Sequence, residues 1–129
     1  EIRGKTLRVF HKHSAEVVLD EMVQWATEGC DKLGCLPAVL GFGIGRSNLE
    51  AASLSLEAMC RGDFSRQSPM EQEITRRVNE SGIGPLGLGG RTTALATFLK
   101  VGPQRASGVR IVSMRVGCCF DPRRATVEL

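Results

Sequence analysis

The sequence predicts an α/β fold in which helices pack on one mixed sheet. Three observations carry this expectation. Four segments of strand length, at 5–10, 36–42, 92–100 and 109–117, share the chain with three helical stretches at 15–28, 47–62 and 69–80. Each helical stretch is preceded by a serine suited to capping it. No internal repeat, low-complexity tract or linker interrupts the 129 residues, so 1–129 reads as a single domain.

The elements follow in order. Residues 5–10 alternate weakly between apolar and polar, as a strand does. Ser14 caps a helix over 15–28 whose Val18, Met22 and Trp25 fall on one face. The segment 29–34 ends it, and 36–42 is a short apolar run with Pro37 near its start, where a missing amide is tolerated. Ser47 and Glu50 have capping-box spacing and open a helix to about Gly62, with Leu49, Leu54, Leu56 and Met59 as its apolar side. Ser68, Pro69 and Glu71 repeat the device for the helix over 69–80, with proline at the first helical position. The strand at 109–117 places Val109, Ile111 and Val112 among polar Arg110 and Arg115, and 103–108 joins it to the strand before. Residues 126–129 are too short to assign.

Composition narrows the function classes. Hydrophobic residues make up 42% and charged residues 24%, which is ordinary for a globular domain and excludes disorder. The net charge is only +3, the basic residues are scattered and there is no tyrosine, so a nucleic-acid face is not expected. Nothing approaches 18 consecutive apolar residues and the first residues do not form a signal peptide, so the expectation is a soluble, cytoplasmic protein away from membranes. The chain opens on Glu1 rather than Met, which suggests a processed product or a piece of something longer. Five cysteines, an odd number without CxxC spacing, argue against a disulfide scaffold or a zinc ribbon and leave free thiols or cluster ligands.

Three segments could carry chemistry. Gly41-Phe-Gly-Ile-Gly45 stands before a capped helix and reads either as an anion cradle or as a tight strand-to-helix turn; its third glycine comes one position too early for the dinucleotide fingerprint. The segment 82–93, Gly-Ile-Gly-Pro-Leu-Gly-Leu-Gly-Gly-Arg-Thr-Thr, concentrates glycine as a backbone does where it bends sharply or approaches a ligand. As a phosphate loop it departs from the motif at Pro85 and Arg91, so a ligand-facing backbone and a ligand-free glycine hinge stand beside the phosphate reading. Cys118-Cys119 follows a strand and precedes Arg123-Arg124. One thiolate could hold metal while an arginine grips a carboxylate, or both cysteines could be small buried hydrophobes.

Taken together, Cys35-Leu-Pro-Ala-Val-Leu-Gly-Phe-Gly-Ile-Gly45, residues 82–95 and residues 112–124 resemble the iron-sulfur domain, or alpha subunit, of class I fumarate hydratases and L(+)-tartrate dehydratases. The family patterns resemble C-P-P followed by G-V-G-I-G-G, then G-I-G-P-x-G-L-G-G-K-T-T-A-L, then a strand ending in cysteine with arginine shortly after. The resemblance covers roughly residues 14–127 and implies a [4Fe-4S] cluster held by three cysteines, with one iron open to substrate. It places Cys35 on one ligand and either Cys118 or Cys119 on the next. Gly84, Gly87, Gly89, Gly90 and Thr92 would line the substrate pocket, and Arg123 or Arg124 would steady a carboxylate. The third ligand belongs to a family motif like C-Q-D-T-G, which does not occur here, and the motif lysine is Arg91. Acid–base groups stay unassigned, because the family places them partly in a second domain or beta subunit.

The resemblance thus implies the later part of an alpha subunit that reversibly dehydrates a small hydroxy-dicarboxylate, within an oligomer completed by a beta subunit or C-terminal domain. Alone, the chain is expected to be inactive. Two other readings stand beside this one: a non-catalytic assembly subunit, and a phosphate- or nucleotide-binding module that uses the glycine loops.

Overall fold

The computed structural model describes residues 5–11, 14–119 and 125–129. Strands β1 (Lys5–Phe10), β2 (Ala38–Gly45), β3 (Ala94–Val101) and β4 (Arg110–Cys118) form one sheet, with helices α1 (Ala15–Asp31), α2 (Asn48–Arg61) and α3 (Pro69–Asn79) packed on it. The strand order is β1-β4-β2-β3. β2 and β3 run parallel, whereas β4 is antiparallel to both β1 and β2. This is the mixed α/β domain that the sequence predicts.

The two faces of the sheet are covered differently. On one side, Ala38, Leu40, Phe42 and Ile44 of β2 and Val112, Met114 and Val116 of β4 bury against α1 and α3. Val18, Met22 and Trp25 all face this core, as the helical spacing predicts, and Trp25 meets the Phe42 ring edge-on at 6.3 Å. On the other side, Val39, Ala96 and Phe98 meet Ala58 and Met59 of α2. A register shift between Ala38 and Val39 lets β3 serve both cores, with Ala94 in the first and Ala96 in the second.

Glycines explain the second face. A Cβ on Gly43 would overlap the Ala51 carbonyl oxygen and the Ser55 nitrogen, so α2 lies with its backbone almost against the strand. Only small side chains fit that approach, and α2 turns Ala51, Ala52, Ser55 and Ala58 inward. The apolar side expected from the sequence holds at Met59, which is buried, and is corrected at the leucines: Leu49 is 78% exposed, Leu54 is half-buried and Leu56 lies at the surface. Gly41, Gly43 and Gly45 belong to β2 itself, which runs on to Gly45 where the sequence reading stops it at Phe42. They are a packing surface for α2, neither a turn nor an anion cradle.

The helix starts behave largely as expected. Ser14, Ser47 and Ser68 each accept a backbone N–H with the side-chain hydroxyl. Only α3 closes a full capping box, Glu71 returning its carboxylate to the Ser68 amide at 2.6 Å. Glu50 instead accepts from the Arg46 amide, one residue earlier, at 2.5 Å. Glu71 also takes the Leu99 amide at 2.7 Å and so ties α3 to the outer edge of β3. Among the described residues, no helix is long and apolar enough to cross a membrane.

Candidate active site

One end of the sheet collects the sequence motifs. β2 and β3 begin there and β4, running the other way, ends there, because Ala38 pairs with both Ala94 and Cys118. The short segment holding Cys35, the loop 82–93 and the pair Cys118-Cys119 therefore all border the same sheet end. Cys35 is half-buried, three residues before Ala38, and the Leu36–Pro37 peptide between them is cis. Cys118 is buried, on the same alternation as core residues Val112, Met114 and Val116, and Cys119 is half-buried beyond the strand. Arg123 and Arg124 lie outside the described residues.

The other two cysteines stay apart from these motifs. Cys30 sits in the α1 core, where burial pushes its thiol up to about 12 and keeps it protonated. Cys60 is exposed on α2. Among the described residues, no three His, Cys, Asp or Glu side chains are grouped so as to hold a metal ion. The clefts lined by Met22, Ile44 and Arg110 (about 510 Å³) and by Glu57, Arg61 and Lys100 (about 640 Å³) lie away from the cysteine motifs.

The glycine loop is a closed structure. Its two limbs pair through Gly89 N–H to Ile83 O at 2.8 Å and Gly90 N–H to Gly82 O at 3.2 Å, around a 3-10 turn at Pro85–Gly87. Gly84 shows why glycine is required. Its φ is +71° and a Cβ there would strike the Gly89 carbonyl, so any side chain would force the limbs apart. At the tip, Leu86 holds φ +56° without being glycine, and it and Leu88 are exposed.

The amides of the loop point inward. Gly84 N–H donates to Thr93 Oγ1 at 3.1 Å and Gly87 N–H to Gly84 O at 3.1 Å, while those of Gly89 and Gly90 close the limbs. Four glycine amides are thus committed, which leaves little of the cradle that a phosphate needs. Of the pocket positions expected from the sequence, Gly84 is buried, whereas Gly87, Gly89, Gly90 and Thr92 are exposed. Arg91, where the family motif has lysine, is exposed beside them. Among the described residues, neither Arg91 nor Thr92 makes a side-chain hydrogen bond or ion pair, so both are open to a ligand.

Residues the sequence reading passed over hold the loop at its base. Asn79, the last residue of α3, accepts from the amides of Thr93 and Ala94 at 2.8 Å each and donates to Ala94 O at 3.1 Å. Thr93 is fully buried and receives the Ala38 amide on its carbonyl at 2.8 Å. A polar residue just past the glycine run and an asparagine ending a helix were visible signals, but their pairing depends on tertiary structure.

The chain matches the model of the family described as Fumarate hydratase (Fumerase) over residues 5–128. It is 36% identical over 92 residues to a protein of Methanocaldococcus jannaschii (strain ATCC 43067 / DSM 2661 / JAL-1 / JCM 10045 / NBRC 100440) assigned as an L(+)-tartrate dehydratase subunit alpha, covering 67% of this chain and 30% of that protein. It is 32% identical over 100 residues to the L(+)-tartrate dehydratase subunit alpha of Escherichia coli (strain UTI89 / UPEC), covering 74% of this chain and 32% of that protein. The chain thus spans about a third of the length of the curated relatives it matches. With nearly every residue inside the family match, and the glycine loop and cysteine segments set at one sheet end, this chain belongs to the fumarate hydratase (Fumerase) family.

Proposed function

We propose that this chain is part of the alpha subunit of a [4Fe-4S]-dependent hydro-lyase that reversibly dehydrates a small hydroxy-dicarboxylate, malate to fumarate or tartrate to oxaloacetate. The observation that carries the reading is the shared sheet end: Ala38 pairs with Cys118, which sets the Cys35 segment beside the Cys118-Cys119 pair and the glycine loop.

The donor set fits a cluster in chemistry and is incomplete in number. Soft thiolates are the ligands that iron–sulfur clusters take, and Cys35 with Cys118 or Cys119 supplies two of three. The third is to come from a segment or subunit beyond these residues. When bound, such a cluster supplies a Lewis-acidic iron that assists departure of a hydroxyl without changing the oxidation state of the substrate.

The other roles fall to this chain's residues. The closed loop forms a wall that limits the length of the substrate, Gly84, Gly87, Gly89 and Gly90 giving its shape rather than its hydrogen bonds. Thr92 and Arg91 offer a hydroxyl and a guanidinium to a substrate carboxylate, a role that Arg123 or Arg124 would share. A beta subunit, implied by the relatives' names, completes the pocket and supplies acid–base groups. Without it, this chain is expected to show no turnover.

Anaerobic cluster reconstitution of the subunit together with its partner, followed by assays on malate and tartrate, tests the reading. Cys35→Ser is expected to lose the brown chromophore and Cys60→Ser to keep it; equal retention removes Cys35 from the ligands. Of Cys118→Ser and Cys119→Ser, the one that bleaches the protein identifies the second ligand. A colourless wild-type assembly would point to a non-catalytic assembly subunit instead.

A further inference from the structure

We propose that Thr93, held by Asn79, is a positioning residue that fixes the glycine loop to the Cys35 segment and so sets the separation between the pocket wall and the thiol ligand. The inference rests on the hydro-lyase reading above. Its starting point is that every polar atom of this fully buried threonine is used, each toward a different part of the site. Its N–H goes to Asn79 Oδ1 at the end of α3, and its carbonyl receives the Ala38 amide, three residues from Cys35. Its hydroxyl receives the amide of Gly84 and lies 3.4 Å from the Ser81 hydroxyl.

The hydroxyl is the link that matters. Backbone pairing alone would align β3 with β2, but it leaves the loop attached only through its two ends. Gly84 lies against Gly89 with no room for a Cβ, so the limbs move as one body. Holding the Gly84 amide therefore orients the whole loop relative to Ala38, and with it Arg91 and Thr92. Asn79 adds the second constraint: one side-chain carbonyl receives two successive amides while the NH2 group returns to Ala94 O, which fixes the backbone that carries the hydroxyl.

Thr93→Val keeps the shape and removes the acceptor, whereas Thr93→Ser keeps the acceptor. The first measurement is amide hydrogen exchange on this chain without any cluster. Thr93→Val is expected to speed exchange at Gly84 by at least about tenfold while Ala38, bonded to the backbone carbonyl, stays protected. Thr93→Ser is expected to restore protection at Gly84. Unchanged exchange at Gly84 in Thr93→Val overturns the inference whether or not the enzyme is active. Should the valine variant not fold, Thr93→Ala replaces it and likewise removes the hydroxyl that accepts the Gly84 amide. Faster exchange at Gly84 is again expected, and wild-type protection overturns the proposal.

In the assembled enzyme with its partner subunit, Thr93→Val is expected to raise KM for the dicarboxylate about tenfold or more with the cluster absorbance unchanged, and Thr93→Ser to recover it. A loss of absorbance matching the loss of activity would mean that Thr93 serves only to keep the protein folded, and would overturn the positioning role. If the wild-type assembly binds no cluster and turns over neither substrate, the hydro-lyase reading fails while the exchange result still decides what Thr93 does.

Discussion

At the scale of single residues, the cysteines divide by environment. Burial holds the Cys30 thiol up at about 12, while Cys60 is exposed. Brief iodoacetamide treatment of the folded chain at about pH 8 should therefore label Cys60 and spare Cys30, as mass spectrometry of the digested protein would show. The same shift has a pH signature. A thiol whose folded pKa lies above its ordinary 9.0 contributes stability in full below about 9 and loses it as the pH climbs toward 12. The difference in urea midpoint between wild type and Cys30→Ala should then narrow between about pH 9 and 11; a constant difference would contradict the buried assignment. Gly43 makes the complementary case for space. Gly43→Ala drives a methyl into the backbone of α2, and a loss of about 2 to 4 kcal/mol is expected in denaturant unfolding, against little change for Gly34→Ala, whose Cβ would meet nothing.

At the scale of elements, α3 shows what a sequence can declare and α2 what it cannot. Ser68, Pro69 and Glu71 announce the start of α3 because capping is local chemistry, and the box forms as written. The second duty of Glu71, accepting the Leu99 amide, depends on which strand arrives alongside and is invisible locally. Glu71→Ala should therefore cost more than a surface cap, about 2 to 3 kcal/mol, and should expose the Leu99 amide to exchange as well as the first turn of α3. Exchange rising only in α3 would show the edge contact to be idle. For α2 the leucine pattern misleads because the partner surface is glycine: close approach of two backbones selects alanine and serine opposite Gly43 and leaves Leu49 and Leu56 at the surface, with Met59 the large side chain that packs inward. The site divides in the same way. Cys35, the glycine loop and Cys118-Cys119 are recognisable as segments, whereas Asn79 and Thr93 are marked locally only as a helix end and a loop end, since their pairing arises when α3 and β2 lie beside the start of β3.

At the scale of the molecule, function depends on strand direction. Because β4 runs against β2 and β3, its last residue meets their first ones, and segments about 80 residues apart in sequence are brought to one border. That border is built on β2, which also contributes to both cores, Leu40 and Phe42 to one and Val39 to the other. Loss of either helical layer should therefore undo the sheet and the border with it. The expected outcome is a single cooperative transition in urea: fluorescence of Trp25, which reports the α1 side, should coincide with far-ultraviolet circular dichroism, which reports all layers. Gly43→Ala, which perturbs only the α2 side, should shift both curves together. If Trp25 kept its native signal while helicity fell, the two faces would unfold separately, and a rigid sheet could no longer be what holds the Cys35 segment and the glycine loop in register.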